Sequence, residues 1–294
     1  DKVAEAINEN TKAVIPVDLG GMICDYDRIF EIVESKKDLF KPANKLQAAI
    51  GRVAVISDGA HAFGSVKNGV KAGAIADFTS FSFHAVKNLT TAEGGALAWR
   101  TLDGVDNDEL YHELQLYSLH GQSKDALSKN KAGAWEYDVV YPAYKCNMTN
   151  INAAIGIAQL ERYEGLLARR RVLNERYEAA LEKLGIKVMH HYTDEMTSTG
   201  HLYLVRIPGA SVDDRNAVIQ EMAEREIACN VHYKPLPMMT AYKNLGFDIA
   251  DYPNAYHQYE NLISLPIFST MTDEQNEYVI ENFIDILKKR GLIK

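Results

Sequence analysis

Residues 77–97 read DFTSFSFHAVKNLTTAEGGAL: an aromatic, serine-rich run, a single lysine at position 87, then a polar stretch closing on Gly94 and Gly95. The run Phe78 to Phe83 is short, apolar and aromatic, which predicts a buried strand. Working outward, Val53 to Ser57 (VAVIS) predicts a second buried strand, Gly95 to Trp99 a third and Lys12 to Asp18 (KAVIPVD) a fourth. Tyr26 to Ser35 carries helical periodicity. Strands flanked by helices, without two-residue hairpin turns, predict an α/β fold whose sheet is largely parallel and covered on both faces. Ligands in such sheets bind beyond the carboxyl ends of strands. Asp58 and Lys87 each follow one of these runs, so both fall where a ligand would sit.

The pattern changes in the second half. Thr149 to Leu184 reads as one long helix, with Thr149 or Asn150 as its cap and Gly185 as its stop. At 1.5 Å per residue it spans roughly 50 Å, enough to bridge two domains. Beyond it, His201 to Ile207 alternates like a strand, while Asp213 to Glu226 and Thr272 to Lys289 repeat like helices. The expected organisation is a large domain over residues 1–150, a bridging helix over 151–185 and a smaller α+β domain over 186–294.

Composition narrows the function classes. The 294 residues are 47% hydrophobic and carry 32 basic against 40 acidic side chains, a net charge of −8. No basic run is longer than three residues, as in Arg169-Arg170-Arg171, so nucleic acid and anionic membranes are not expected partners. No apolar run approaches the eighteen or so residues of a membrane span. Cys24, Cys146 and Cys229 have neither metal-ligand spacing nor the even number of a disulfide framework, which reads as a reducing cytoplasm.

Taken singly, Lys87 reads as a solvated loop residue, Asp58 as a turn former and His61 as a packed histidine. Taken together, a lysine, an acid and a hydroxyl at adjacent strand ends are the parts that hold pyridoxal 5′-phosphate. A neutral amine condenses with the aldehyde, a carboxylate keeps the pyridine nitrogen protonated, and hydroxyls receive the phosphate. An apolar approach to Lys87 suits this, because desolvation lowers a lysine pKa.

The segments VISDGAHAFGS (55–65), ADFTSFSFHAVKNLTTAEGGAL (76–97) and YKCNMTNINAAIGIAQLERYE (144–164) resemble the sugar aminotransferases of the DegT and StrS family. The resemblance covers nearly the whole chain. It implies the aspartate-aminotransferase type of fold (fold type I), pyridoxal 5′-phosphate as cofactor, and amino transfer from L-glutamate to a nucleotide-linked keto sugar. FHAVKNLTTAEGG and YKCNMT look most like the members that aminate a UDP-linked 4-ketopentose on the route to 4-amino-4-deoxy-L-arabinose, stretches also shared by enzymes of 4-keto-6-deoxyhexoses.

By the same resemblance Lys87 is the lysine that joins the cofactor and then shuttles the proton, and Asp58 is the partner of the pyridine nitrogen. His61 lies close to the ring, and Ser82 supplies a hydroxyl to the phosphate. Lys145 and Asn147 occupy the stretch that many relatives write as Asn-x-Arg and that reaches a neighbouring subunit's site, so a homodimer with shared sites is implied. In VHYKPLPMMTAY (231–242), His232 and Tyr233 match substrate-side positions, while Pro237 stands where relatives carry a second histidine. Relatives begin with a phosphate loop that this sequence does not show, and NTKAVIPVDLGG resembles the middle of their large domain; an N-terminally truncated chain is the expectation. Two other readings stay open. One is another enzyme of the same fold, a sugar dehydratase or a cysteine desulfurase; the related dehydratases carry histidine where this chain keeps Lys87, and Cys229 lacks the context of a reactive thiol. The other is a non-catalytic binding or regulatory protein.

Overall fold

The computed structural model describes residues 2–123 and 136–294. The first half holds α1 (Lys2–Ala6), β1 (Ala13–Val14), α2 (Tyr26–Ser35), α3 (Lys45–Ile50), β2 (Ala54–Asp58), β3 (Val66–Lys67), β4 (Val70–Lys71), β5 (Phe78–Ser82), β6 (Gly95–Trp99) and α4 (Asn107–Ser118). Its main sheet has the order β1-β2-β5-β6. β1/β2 and β2/β5 pair in parallel, with Ile56 opposite Phe78 and Asp58 opposite Ser80. The fold is therefore α/β with a mixed, mostly parallel central sheet.

Three expectations change in detail. Strand β6 runs antiparallel to β5, and its Gly95–Leu97 half is exposed, so the sheet is not covered throughout. The segment Lys12–Asp18 forms only a two-residue strand because Pro16 has no N–H to give the ladder. It still follows β2: the Pro16 carbonyl accepts from Asp58 N–H (2.9 Å) and Asp18 N–H donates to the Asp58 carbonyl (3.0 Å). A two-residue hairpin does exist, between β3 and β4, at Asn68-Gly69 with φ of 50° and 78°. Positive φ at both central positions is what an Asn-Gly turn supplies, so VKNGVK was a legible signal.

The parallel pair is held at its start by a buried carboxylate. Asp77, fully buried, accepts from Arg52 (2.7 and 3.0 Å), from Arg100 (2.8 and 3.1 Å) and from Val55 N–H (2.8 Å). Burial pushes this carboxyl up, but Arg52, the Val55 N–H and Arg100 together bring it below the usual carboxylate range. The last residue before β5 is thereby tied to β2, which fixes the register of the two strands whose far ends carry the site.

The expected single helix is two: α5 (Asn150–Leu160) and α6 (Tyr163–Leu181), with Arg162 between them at φ −116°, ψ 5°. The break turns the Tyr163 ring inward to pack on Phe63 at 5.6 Å between centroids, beside Phe83 and Leu89, and lets its hydroxyl donate to the Phe63 carbonyl. Tertiary packing thus overrides a continuous helical pattern. The predicted cap and stop do occur: Thr149 accepts from Asn152 N–H, and Gly185 is left-handed at φ 79°.

Next come β7 (Lys187–Val188), β8 (Met196–Thr197), β9 (Tyr203–Arg206), α7 (Val212–Glu224), α8 (Thr240–Lys243), α9 (Pro253–Glu260), β10 (Leu262–Leu265) and α10 (Asp273–Lys289). β10-β9-β7 is an antiparallel sheet whose buried Tyr203, Val205 and Ile263 pack against α6, α7 and α10. On α10, Val279, Ile280, Phe283, Ile286 and Leu287 fall on one face at helical spacing, and Thr272 with Gln275 forms a capping box. β8 pairs with β3, so the second half reaches back onto the first. That crossing brings residues 198–201 alongside the lysine.

Candidate active site

Two strand ends and two loops build the site. β2 ends at Asp58, whose side chain accepts from Ala60 N–H (3.1 Å) and so tightens the turn leading to His61. β5 ends at Ser82, and the chain turns through His84 to Lys87, whose backbone N–H donates to the His84 carbonyl (2.9 Å). Lys87 is half-buried. Desolvation holds its amine below the usual lysine range, with Asp58 pulling the other way. Asp58 at one strand end thus lies within electrostatic reach of the amine that follows the next.

His61 lies in the same group. Its Nδ1 accepts from Gly20 N–H (3.1 Å), which leaves the ring proton on Nε2 when the ring is neutral. Burial, then the nearby Lys87 amine, push its pKa down to about 4, with Asp58 opposing. The ring is therefore neutral at physiological pH. His232 also feels Lys87 and is lowered chiefly by burial; its Nδ1 lies 2.8 Å from Ser264 Oγ. Tyr233, edge-on to His232 at 4.8 Å between centroids, has its phenol raised by burial and by Asp58. His61 and His232 thus lie within electrostatic reach of Lys87, and Tyr233 within that of Asp58.

Ser82 stands at the end of β5 and accepts from His84 N–H (3.3 Å). Lys145 and Asn147 are exposed, and the Lys145 amine donates to the Asn147 side chain. Neither has a hydrogen bond to the Lys87 group among the described residues. Four concavities, of about 460, 440, 410 and 200 Å³, also lie outside that group.

Sequence reasoning missed Asp18, Asn88 and His201. Asp18 is buried and accepts from Ser57 Oγ (2.7 Å), Cys24 N–H (2.9 Å) and the Tyr26 hydroxyl (3.1 Å), with no cation among these partners. Burial raises its pKa against those donors. It pins the Val17–Gly21 turn, and hence the Gly20 N–H, beside the end of β2. His201 stacks tilted on His61 at 4.4 Å between centroids. Asp18 and His201 lie 40 and 140 residues from Asp58 and His61, and no local pattern marks either.

These residues fit pyridoxal 5′-phosphate. The group requires a reachable amine that loses its proton easily and an acid facing it, and Lys87 and Asp58 supply them at the ends of parallel strands. Cys229, by contrast, is pushed by burial up to about 12, the reverse of what a nucleophilic thiol needs. Fold and site together define a pyridoxal-phosphate-dependent aminotransferase class.

Within that class the chain belongs to the DegT/DnrJ/EryC1/StrS aminotransferase family, which it matches over residues 1–284. Members of this family use pyridoxal phosphate. The chain is 34% identical to the spore coat polysaccharide biosynthesis protein SpsC of Bacillus subtilis over 291 residues, covering 98% of this chain and 69% of SpsC. Among solved structures it is similar to the putative sugar aminotransferase Spr1654 of Streptococcus pneumoniae in its PMP-form, at 52% identity and TM-score 0.94, covering 98% of this chain and 72% of that one. It is also similar to PseC of Helicobacter pylori, an aminotransferase of pseudoaminic acid biosynthesis, at 25% identity and TM-score 0.82, covering 97% and 69%. The chain spans about two thirds of the length of these relatives.

Proposed function

We propose that the protein moves an amino group from L-glutamate to the keto carbon of a nucleotide-linked sugar, through pyridoxal 5′-phosphate held at Lys87 and Asp58. The observation that carries this is the half-buried Lys87 amine, which follows β5, lowered by desolvation and within electrostatic reach of Asp58 at the end of the parallel neighbour β2. The bound cofactor supplies an electron sink that lets a proton leave the carbon bearing the nitrogen. The chain's own residues do the rest. Asp58 sets the charge at the far end of the cofactor ring, and Lys87 accepts and returns the proton as general base and acid. His61, neutral, would lie beside the cofactor ring. Ser82 offers its hydroxyl to the phosphate, and His232 and Tyr233 line the substrate side.

The sugar substrate is supported by the families of SpsC and PseC, whose names place them in polysaccharide and pseudoaminic acid biosynthesis. The sequence likeness of YKCNMT favours a UDP-linked 4-ketopentose. A homodimer in the cytoplasm is the proposed setting, with Lys145 and Asn147 reaching the neighbouring site; their exposure, and that of Tyr144 and Ile151 beside them, supports it.

The test uses glutamate as donor and a panel of UDP-4-ketopentose and nucleotide-linked 4-keto-6-deoxyhexoses as acceptors. Borohydride reduction of the loaded protein should leave a pyridoxyl mass on the peptide containing Lys87. Lys87→Ala should lose both the label and the amino transfer; retention of transfer in that variant refutes the assignment.

A further inference from the structure

Residues 198–201 form a strap between β8 and β9 that lies across the turns carrying His61 and Lys87. Thr199 Oγ1 donates to the His61 carbonyl (2.6 Å), and Thr199 N–H donates to Ser65 Oγ (3.0 Å). Behind the strap stands Arg170 of α6, a buried guanidinium at 6% exposure. Its Nη1 donates to the carbonyls of Gly200 (3.2 Å) and His201 (3.3 Å), and its Nε has no partner. Among the described residues no carboxylate pairs with it, and burial pushes it down to about 10. These two hydrogen bonds tie the strap's carbonyls to α6.

The strap grips the residue next to the lysine. Asn88 Nδ2 donates to the Thr199 carbonyl (3.0 Å), which leaves its Oδ1 as the acceptor facing His201 Nδ1 at 2.8 Å. His201 Nδ1 therefore carries the proton, and both ends of the Asn88 amide are engaged. Titratable groups within electrostatic reach of Lys87 are Asp58 from β2, His61 from the following turn, His232 from the loop after α7, and His201 from the strap. His201 is neutral: burial, then His61, Arg170 and Lys87, push it down to about 2.

We propose that His201 is a positioning residue, which through Asn88 clamps the Lys87 loop and keeps its amine out of water. The inference rests on Lys87 being the reacting amine. Without the clamp the strap lifts, water reaches the amine, and the desolvation that lowers its pKa is relieved.

The test reads Lys87 directly in cofactor-free protein. Acetylation of Lys87 by acetic anhydride is followed by peptide mass spectrometry from about pH 6 to 11.5, in wild type, His201→Ala, Asn88→Ala and His201→Gln. Both alanine variants should shift the midpoint up towards the ordinary lysine value of about 10.4, and a one-unit shift lowers the rate at pH 8 about tenfold. His201→Gln, which keeps a donor, should restore part of the wild-type midpoint. Thr272→Ala, at the α10 cap, controls for general loss of stability and should leave the midpoint in place. If His201→Ala fails to fold, Asn88→Ala and His201→Gln decide the question. An unchanged midpoint in the folded clamp variants, or an equal shift in Thr272→Ala, overturns the proposal. Because the readout involves neither cofactor nor sugar, it is independent of whether amino transfer from glutamate is found.

Discussion

Asp77→Asn tests whether the start of the β2–β5 pair rests on buried charge. Asn keeps the size of the side chain but leaves Arg52, whose side chain is 7% exposed, without its carboxylate. Removing one partner of a buried pair costs about 3–5 kcal/mol. The lower end applies here, because Arg52 keeps Glu34 at 2.9 Å and Arg100 is 37% exposed, so water compensates both guanidiniums in part. About 3 kcal/mol corresponds to a drop in Tm of roughly 6 °C for a chain of this size. The pH dependence gives a second check. The Asp77 carboxyl is lowered in the folded state, so its contribution is complete above the unfolded value of about 3.9 and is lost as pH falls through the folded value. The gap between wild type and variant should hold from about pH 7 to 5 and narrow below about pH 4. Thermal melts followed by near-ultraviolet circular dichroism measure both. A Tm within 1 °C of wild type at pH 7, or a gap that does not change on acidification, would refute the reasoning.

Three further outcomes follow from the same structure. The His61 ring should titrate near pH 4 by proton NMR, and Lys87→Ala should raise that midpoint by removing a positive neighbour; the corresponding stability, present above the unfolded value of about 6.5, should fall as pH drops from about 6.5 to 4. Gly21→Ala places a Cβ 2.0 Å from Thr199 Oγ1 at a φ of +95°, so a urea melt should show a loss of about 2–3 kcal/mol. Thr272→Ala removes half of a capping box and should cost about 1 kcal/mol in the same assay, with the α/β fold intact by circular dichroism.

Much of the first half was legible because its signals are local. A buried strand announces itself by a short apolar run, and the turn that follows Asp58 needs only the residues beside it. Helix α2 and strand β6 fall where periodicity puts them, and the likeness to known motifs marked Lys87, Asp58 and His61. What periodicity alone did not expose was the break at Arg162, since the pattern from Thr149 to Leu184 is helical on both sides. The break follows from where Tyr163 must pack, a contact with Phe63 one hundred residues earlier in the chain.

The sequence by itself marked the main strands of the first half, the helix over Tyr26–Ser35 and the strand ends that an amine and a carboxylate follow, because those properties depend on neighbours within a few residues. Only the tertiary structure decided how deeply Lys87 is withdrawn from water, which tautomers His61 and His201 adopt, and that Asn88 is held from both sides. Those depend on desolvation and on hydrogen bonds between distant segments: Gly20 reaches His61 across 41 residues, and the strap reaches Asn88 across more than a hundred.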